Sequence, residues 1–348
     1  MRHYTEHLIH KDTKIRDSLP ILNKLAIDAI LFVIDDESRL IGSITDGDIR
    51  RGLIDGIDLE ERLEKIIQPN PKYFKKGDLD FNKVTEYRDN NYRIIPIIDN
   101  DDKIINVINF GYLRSYLPID VVIMAGGKGS RLRPLTLDKP KPMLLVGDKP
   151  ILEHNINRLS LYGVDDFWIT LNYLGEQIED YFGNGKDRNL NIQYVWENQP
   201  LGTIGSVSNI NNLIHDTILV TNSDILTNLD YEDFYIKFIE EDADFAVVTI
   251  PYKVDIPYAV LETSNGHVIN FKEKPTYTYY SNAGIYLMKR DILNRIPINE
   301  SFNATDLMES LITDGKKVLS YPLSGYWLDI GKHDDFEKAQ KDIDTVKF

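Results

Sequence analysis

Short apolar runs recur through the last two thirds of the chain: 121-VVIMA, 167-FWITL, 218-ILVTN and 245-FAVVTI. Longer helical patterns lie between them, such as 150-PILEHNINRLSLYG and 231-YEDFYIKFIEE. Strands that alternate with helices predict a largely parallel sheet covered on both faces, an α/β architecture. Two later runs, 258-YAVLET and 284-GIYLM, read as antiparallel additions to that sheet.

The first 118 residues have a different texture, because they repeat. The stretch 33-VIDDESRLIGSITDGDIRR-51 aligns with 97-IIDNDDKIINVINFGYLRS-115 at a constant offset of 64 residues. Each copy predicts a strand, an acidic turn, a second strand and a helix start. Units of this size pack face to face, since one alone cannot bury its apolar side. Pro118 marks the boundary, because the residue before a proline is pushed out of helical geometry. The expected domains are therefore residues 1–118, with copies at about 14–57 and 60–116, and residues 119–348.

The first copy resembles a CBS motif, the small βαββα module that works in pairs. The resemblance implies that Thr45 and Asp48 can meet the phosphate and ribose of an adenine nucleotide. The second copy has Asn109 and Tyr112 at those places, which puts a second ligand site in doubt. Thr45 and Asp48 are equally good as a cap on the helix that starts near Gly47, and the two roles are compatible.

Composition narrows the partners. A net charge of −15 argues against nucleic acid or an anionic membrane surface. Cysteine is absent, so disulfides, thiolate metal sites and cysteine nucleophiles are excluded. No apolar run reaches the roughly 20 residues that span a bilayer, and the first residues lack a signal-peptide core, so a cytoplasmic protein is expected. Against the acidic background, residues 128–149 hold Lys128, Arg131, Arg133, Lys139, Lys141 and Lys149 against only Asp138 and Asp148. Cations gathered beside the glycines of 124-MAGGKGSRLRP-134 point to an anion site.

The loop follows a buried strand, so its backbone N–H groups can face a phosphate beyond the strand's carboxyl end. A dinucleotide loop of the G-x-G-x-x-G type fails at Leu132, and a G-x-x-x-x-G-K-[ST] loop does not occur. What remains is the longer phrase AGGKGSRLRPLTLDKPKPMLLVGDKPILEH. In it the Gly126–Gly129 backbone would cradle phosphates, Arg131 could fork onto phosphate oxygens, and Lys141 is stiffened by Pro140 and Pro142.

That phrase resembles the signature of sugar-1-phosphate nucleotidyltransferases over about residues 119–340, and the combination with CBS motifs resembles glucosamine-1-phosphate and mannose-1-phosphate guanylyltransferases. The resemblance implies a Rossmann-like (GT-A-like) domain that joins a nucleoside triphosphate to a sugar 1-phosphate and releases pyrophosphate. It implies nucleotide contacts from Ala125, Gly126, Gly127, Lys128 and Gly129, and from Glu197, Gly202 and Thr203 in 197-ENQPLGTIGSV. It places Mg2+ on Asp224 of 221-TNSDIL and Asp329 of 326-YWLDIGKHDDF. It assigns Glu273 and Lys274 of 271-FKEKP, and Asn282 of 281-SNAGIYLM, to the sugar phosphate. Arg131, Lys141 and Lys274 are the expected catalytic cations. A carboxylate at Glu197 can accept from guanine N1–H and its 2-amino group together, which favours GTP; UTP or dTTP is the alternative, as is a non-catalytic nucleotide-sugar sensor. An adenine nucleotide at Thr45 and Asp48, and a homo-oligomer, complete the expected partners.

Overall fold

The computed structural model describes residues 3–77 and 79–346. The chain divides into two compact units, one holding the residues up to Pro118 with Ser160–Val164, the other holding Ile119–Leu159 and the residues from Asp165 onward.

In the first unit, strand Leu8–His10 runs parallel to Ile30–Ile34, which pairs antiparallel with Leu40–Thr45. The first copy thus begins near residue 8, ahead of the expected start at 14. Helices Ile15–Leu25 and Asp46–Ile54 bury Leu22, Leu25 and Ile49 against Leu31, Val33 and Ile44. The second copy repeats the pattern with Phe74–Lys75, Phe81–Asp89, Ile94–Ile98 and Ile104–Asn109. Phe32 of the first copy shares a core with Ile94, Ile98, Ile104 and Val107 of the second. One expectation is corrected: no helix follows the second copy's last strand. Tyr112 and Leu113 turn back onto the Asn109 carbonyl instead. The physical reason is length, because only residues 110–118 separate that strand from the next one at Ile119.

The second unit is built on a seven-stranded sheet. Its strands lie in the spatial order Asn191–Trp196, Asp166–Leu171, Ile119–Met124, Thr217–Asn222, Thr276–Lys289, Phe245–Asp255, Val318–Pro322. All pairings are parallel except those of Thr276–Lys289, which runs against both neighbours. Val121, Val122 and Ile123 are completely buried, as expected for a central parallel strand covered on both faces. From Ile119–Met124 the chain builds outward to one edge, then returns to place Thr217–Asn222 on the other side. The strand order therefore reverses between these two strands, and their carboxyl ends flank a crevice where α/β sheets bind ligands. The outer halves of Phe245–Asp255 and Thr276–Lys289 leave the sheet as an exposed ribbon that carries the hairpin Val260–Ser264/His267–Lys272. No helix among the described residues is long and apolar enough to cross a membrane.

At the other end of the central strand sits a buried acid. Asp120 is fully buried and its Oδ2 accepts the backbone N–H groups of Ile214 and His215, both at 2.8 Å. Its Oδ1 has no partner. Burial, and secondarily the charge of Asp166, pushes its pKa up from 3.8 to about 6, although the two N–H bonds oppose the shift. The folded chain holds this proton more tightly than the unfolded one. The contribution of Asp120 to stability is thus most favourable below about pH 4, declines as pH rises to about 6, and is constant above. Asp120→Asn should gain on wild type by about 2 kcal/mol between pH 4 and pH 7. Urea unfolding of both chains at the two pH values measures it; a difference independent of pH would show that Asp120 is not a strained anion.

Candidate active site

The glycine loop starts where strand Ile119–Met124 ends, with Ala125 buried and its N–H donating to the Thr170 carbonyl at 3.1 Å. Gly127 is open, with no atom within 4 Å of where a Cβ would stand. Lys128 beside it is exposed. Gly129 is crowded instead. It takes φ +57°, in the left-handed region, and a Cβ there would lie 2.9 Å from Lys141 Cβ. The loop and the lysine are thereby packed backbone against side chain.

Lys141 opens a short 3-10 turn, Lys141–Met143, between Pro140 and Pro142. It is buried, and its Nζ bonds Asp224 and lies 3.8 Å from Asp329 Oδ1. The two acids come from distant parts of the chain. Strand Ile225–Thr227 pairs antiparallel with Trp327–Asp329, setting Ile225 opposite Asp329, and the Ile330 N–H donates to the Asp224 carbonyl at 3.0 Å. Asn155 braces the turn by donating to the Ser223 carbonyl at 3.1 Å. Burial, and next the Asp224 charge, pushes the Asp329 carboxyl above its ordinary range, while Lys141 and Arg131 oppose the rise. Arg131 is exposed and lies over Gly331, where a Cβ would stand 3.3 Å from a guanidinium nitrogen.

Asp224 Oδ1 and Asp329 Oδ1 are both buried without a hydrogen-bond donor. Two carboxylate oxygens left free in one place fit a hard divalent cation, which takes oxygen ligands. The donor set therefore fits Mg2+.

On the other side of the loop lies Glu197. Its Oε2 would be 3.1 Å from a Cβ on Gly126, and its backbone N–H donates to Leu171 at 2.8 Å. Asn172 donates to the Glu197 carbonyl at 2.9 Å. Burial pushes the Glu197 carboxyl up, with Ser206 and the Leu201 backbone opposing. The backbone of Glu197 is thus fixed on both sides, and its carboxyl is half-buried. Gly202 and Thr203 serve the loop itself: Gly202 packs on the Phe302 carbonyl, and Thr203 Oγ1 accepts the Ala304 N–H at 2.9 Å. They fasten the loop to the start of helix Ala304–Thr313.

With this geometry in place, comparison with known proteins gives a consistent answer. The family model described as nucleotidyl transferase matches residues 120–346, and the CBS domain model matches residues 7–55. The chain belongs to the nucleotidyl transferase family. It is 34% identical over 233 residues to a mannose-1-phosphate guanylyltransferase of Mycobacterium tuberculosis, covering 65% of this chain and 64% of that protein. The match thus spans less than two thirds of that relative's length. A D-glycero-alpha-D-manno-heptose 1-phosphate guanylyltransferase of Aneurinibacillus thermoaerophilus is 31% identical, covering 65% of this chain and 98% of the relative. Other matches carry uridylyltransferase names. Among solved structures, HddC from Yersinia pseudotuberculosis superposes with TM-score 0.51 at 28% identity, over 65% of this chain and 99% of HddC; a second structure of HddC is titled as complexed with GMP-PN.

Within this nucleotidyl transferase domain the expected sugar-side residues are only partly gathered. Asn282 Oδ1 accepts the Gly284 N–H at 2.8 Å, and Gly284 abuts Asn222, two residues before Asp224. Trp327 Nε1 donates to the Ala283 carbonyl at 3.0 Å, tying this part of strand Thr276–Lys289 to the strand of Asp329. Glu273 and Lys274 are different. They occupy the exposed bend between His267–Lys272 and Thr276–Lys289, with Lys274 at φ +43°. Among the described residues neither side chain makes a hydrogen bond or ion pair, and none joins them to Asp224 or Asp329. Sequence reasoning missed Asn172, Trp327 and Gly331. Gly331, two residues after Asp329, was the one visible signal.

In the CBS unit, Thr45 and Asp48 form a capping box on helix Asp46–Ile54: Asp48 Oδ2 accepts the Thr45 hydroxyl at 2.6 Å and the Thr45 N–H at 2.8 Å. Burial raises the Asp48 carboxyl, but these bonds and Arg51 outweigh it and hold the group below its ordinary range. Asn109 and Tyr112 of the second copy instead border the buried Asp28 carboxylate, which Arg93 bonds at 2.8 Å.

The packing of Gly129 on Lys141 yields a test. Gly129→Ala should cost about 1–2 kcal/mol from the left-handed backbone alone, and more from the contact with Lys141. Gly127→Ala, with open space around it, should stay within about 0.5 kcal/mol of wild type. Equal urea midpoints for the two variants would refute the packing.

Proposed function

We propose that the chain transfers a nucleotidyl group from a nucleoside triphosphate, GTP by preference, to a sugar 1-phosphate, forming a nucleotide-sugar and pyrophosphate. The observation that carries this is the meeting of a glycine loop, Lys141 and two acids with free buried oxygens at the carboxyl ends of the central strands. Attack of a sugar-phosphate oxygen on the α-phosphorus brings two anions together, so the chain's work is alignment and charge neutralisation. The Gly126–Gly129 backbone cradles the triphosphate. Arg131 meets the departing pyrophosphate, and Lys141 meets the phosphates around the reacting centre. Lys274 receives the sugar phosphate and Glu273 and Asn282 the sugar, with the exposed ribbon as their support. Mg2+ on Asp224 and Asp329 supplies Lewis-acid neutralisation of the phosphate oxygens.

The half-buried carboxylate of Glu197 supports guanine, because a pyrimidine carbonyl placed against it would leave a half-desolvated acid facing a lone pair. The names of the guanylyltransferase relatives, which act on mannose 1-phosphate and a heptose 1-phosphate, support the same base; the acceptor we assign is a hexose or hexosamine 1-phosphate. In the CBS unit we assign a pair of modules with one adenine-nucleotide site, at Thr45 and Asp48. Assembly into a homo-oligomer in the cytoplasm fits this function.

A pyrophosphate-release screen across NTPs and sugar 1-phosphates tests the proposal; GTP should lead, and no release with any pair would end it. Asp224→Asn should lower turnover about 100-fold or more, the scale of one lost transition-state contact. Glu197→Gln should reduce the ratio of kcat/KM for GTP over UTP about tenfold or more. An unchanged ratio would remove Glu197 from base selection.

A further inference from the structure

We propose that Lys141 is the resident counter-ion of the Asp224–Asp329 pair and competes with a divalent cation for it, so that the acids accept metal only once Lys141 has been drawn away. The ammonium bonds Asp224 and stands 3.8 Å from Asp329 Oδ1, one of the two oxygens left without a donor. A dication on the free oxygens would share Asp329 Oδ1 with an ammonium at contact distance. The side chains of Lys141, Asp224 and Asp329 are 10%, 21% and 43% exposed, and the two free oxygens themselves are buried, so water screens two like charges there only in part.

Lys141 is built to change partners while its base stays fixed. Pro140, Pro142 and the crowding of Gly129 hold its backbone, and the flexible stem lets the compact ammonium move alone. A phosphate arriving on the open backbone of Gly127 offers that ammonium a second anion next to the first. Metal and nucleotide binding then reinforce each other, and the coupling is reciprocal. This last step rests on the nucleotidyl-transfer proposal; the competition between Lys141 and metal does not.

The test is Mn2+ binding to the full chain without nucleotide, read from the electron paramagnetic resonance signal of free Mn2+. Lys141→Met, which keeps the length and removes the charge, should bind Mn2+ about tenfold tighter than wild type or more. Lys141→Gln should show the same gain, and Lys141→Arg should not. Combining Lys141→Met with Asp329→Asn should abolish the gain. The exposed group His10, Asp12 and Asp36 contributes the same background to every variant. With folding confirmed by circular dichroism, a Lys141→Met or Lys141→Gln chain that binds Mn2+ no tighter than wild type overturns the proposal, as does a gain that survives Asp329→Asn. Pyrophosphate release by wild type separates the two proposals. Release without the Mn2+ gain sinks only the competition, and the gain without release sinks only the nucleotidyl-transfer assignment.

Discussion

The second unit depends on holding two carboxylates together at the mouth of a parallel sheet. Asp224 and Asp329 lie far apart in sequence and meet because two three-residue strands pair with Ile225 opposite Asp329. Two like charges a few ångströms apart at an effective dielectric near 20 repel by about 4 kcal/mol, so the arrangement requires a cation. Lys141 supplies one, and much of the surrounding backbone serves to deliver it. Gly129 adopts a left-handed conformation to admit the lysine stem, and two prolines fix the turn it stands on. Leu132, Leu226 and Leu328 share one buried cluster, which welds the loop to both acid-bearing strands.

Much of this was legible in the sequence because it is written in local signals. Strand–helix alternation predicted the mostly parallel sheet, and the glycine loop announced itself by residue types that phosphate binding needs. What was not legible is long-range. Nothing local says that Ile225 will face Asp329, or that Gly331 is bare so that Arg131 can lie across it. Thr203 was expected at the ligand, and nothing local says that its hydroxyl also accepts the N–H of Ala304, 101 residues later. The missing helix after Ile104–Asn109 is a similar case. The repeat predicted it, but the next strand begins too soon to leave it room.

The CBS unit shows a limit of another kind. A capping box and a nucleotide contact call for the same hydroxyl and carboxylate at the same spacing, so Thr45 and Asp48 read identically for either. Only their surroundings separate the cases. In the second copy the surroundings differ, because the chain's own Asp28 lies beside Asn109 and Tyr112 and is paired with Arg93. The pseudo-symmetry of the sequence is therefore broken chemically between the two copies.

A net charge of −15 is a poor starting point for collecting the two phosphorylated substrates of the proposed reaction, since the long-range field repels anions. That field is screened beyond about 8 Å at physiological ionic strength, so local charge decides what is captured. Lys128, Arg131, Arg133, Lys139 and Lys149 form that local excess, and Lys128 and Arg131 are exposed beside the glycine loop. Lys141 is withheld from this outer layer, buried against Asp224. The charges are thus graded, with exposed cations outside and a neutralised cluster inside. Under the proposed competition, an anion that replaces the Asp224 carboxylate on Lys141 must reach this inner layer, because the ammonium is buried there and not presented at the surface.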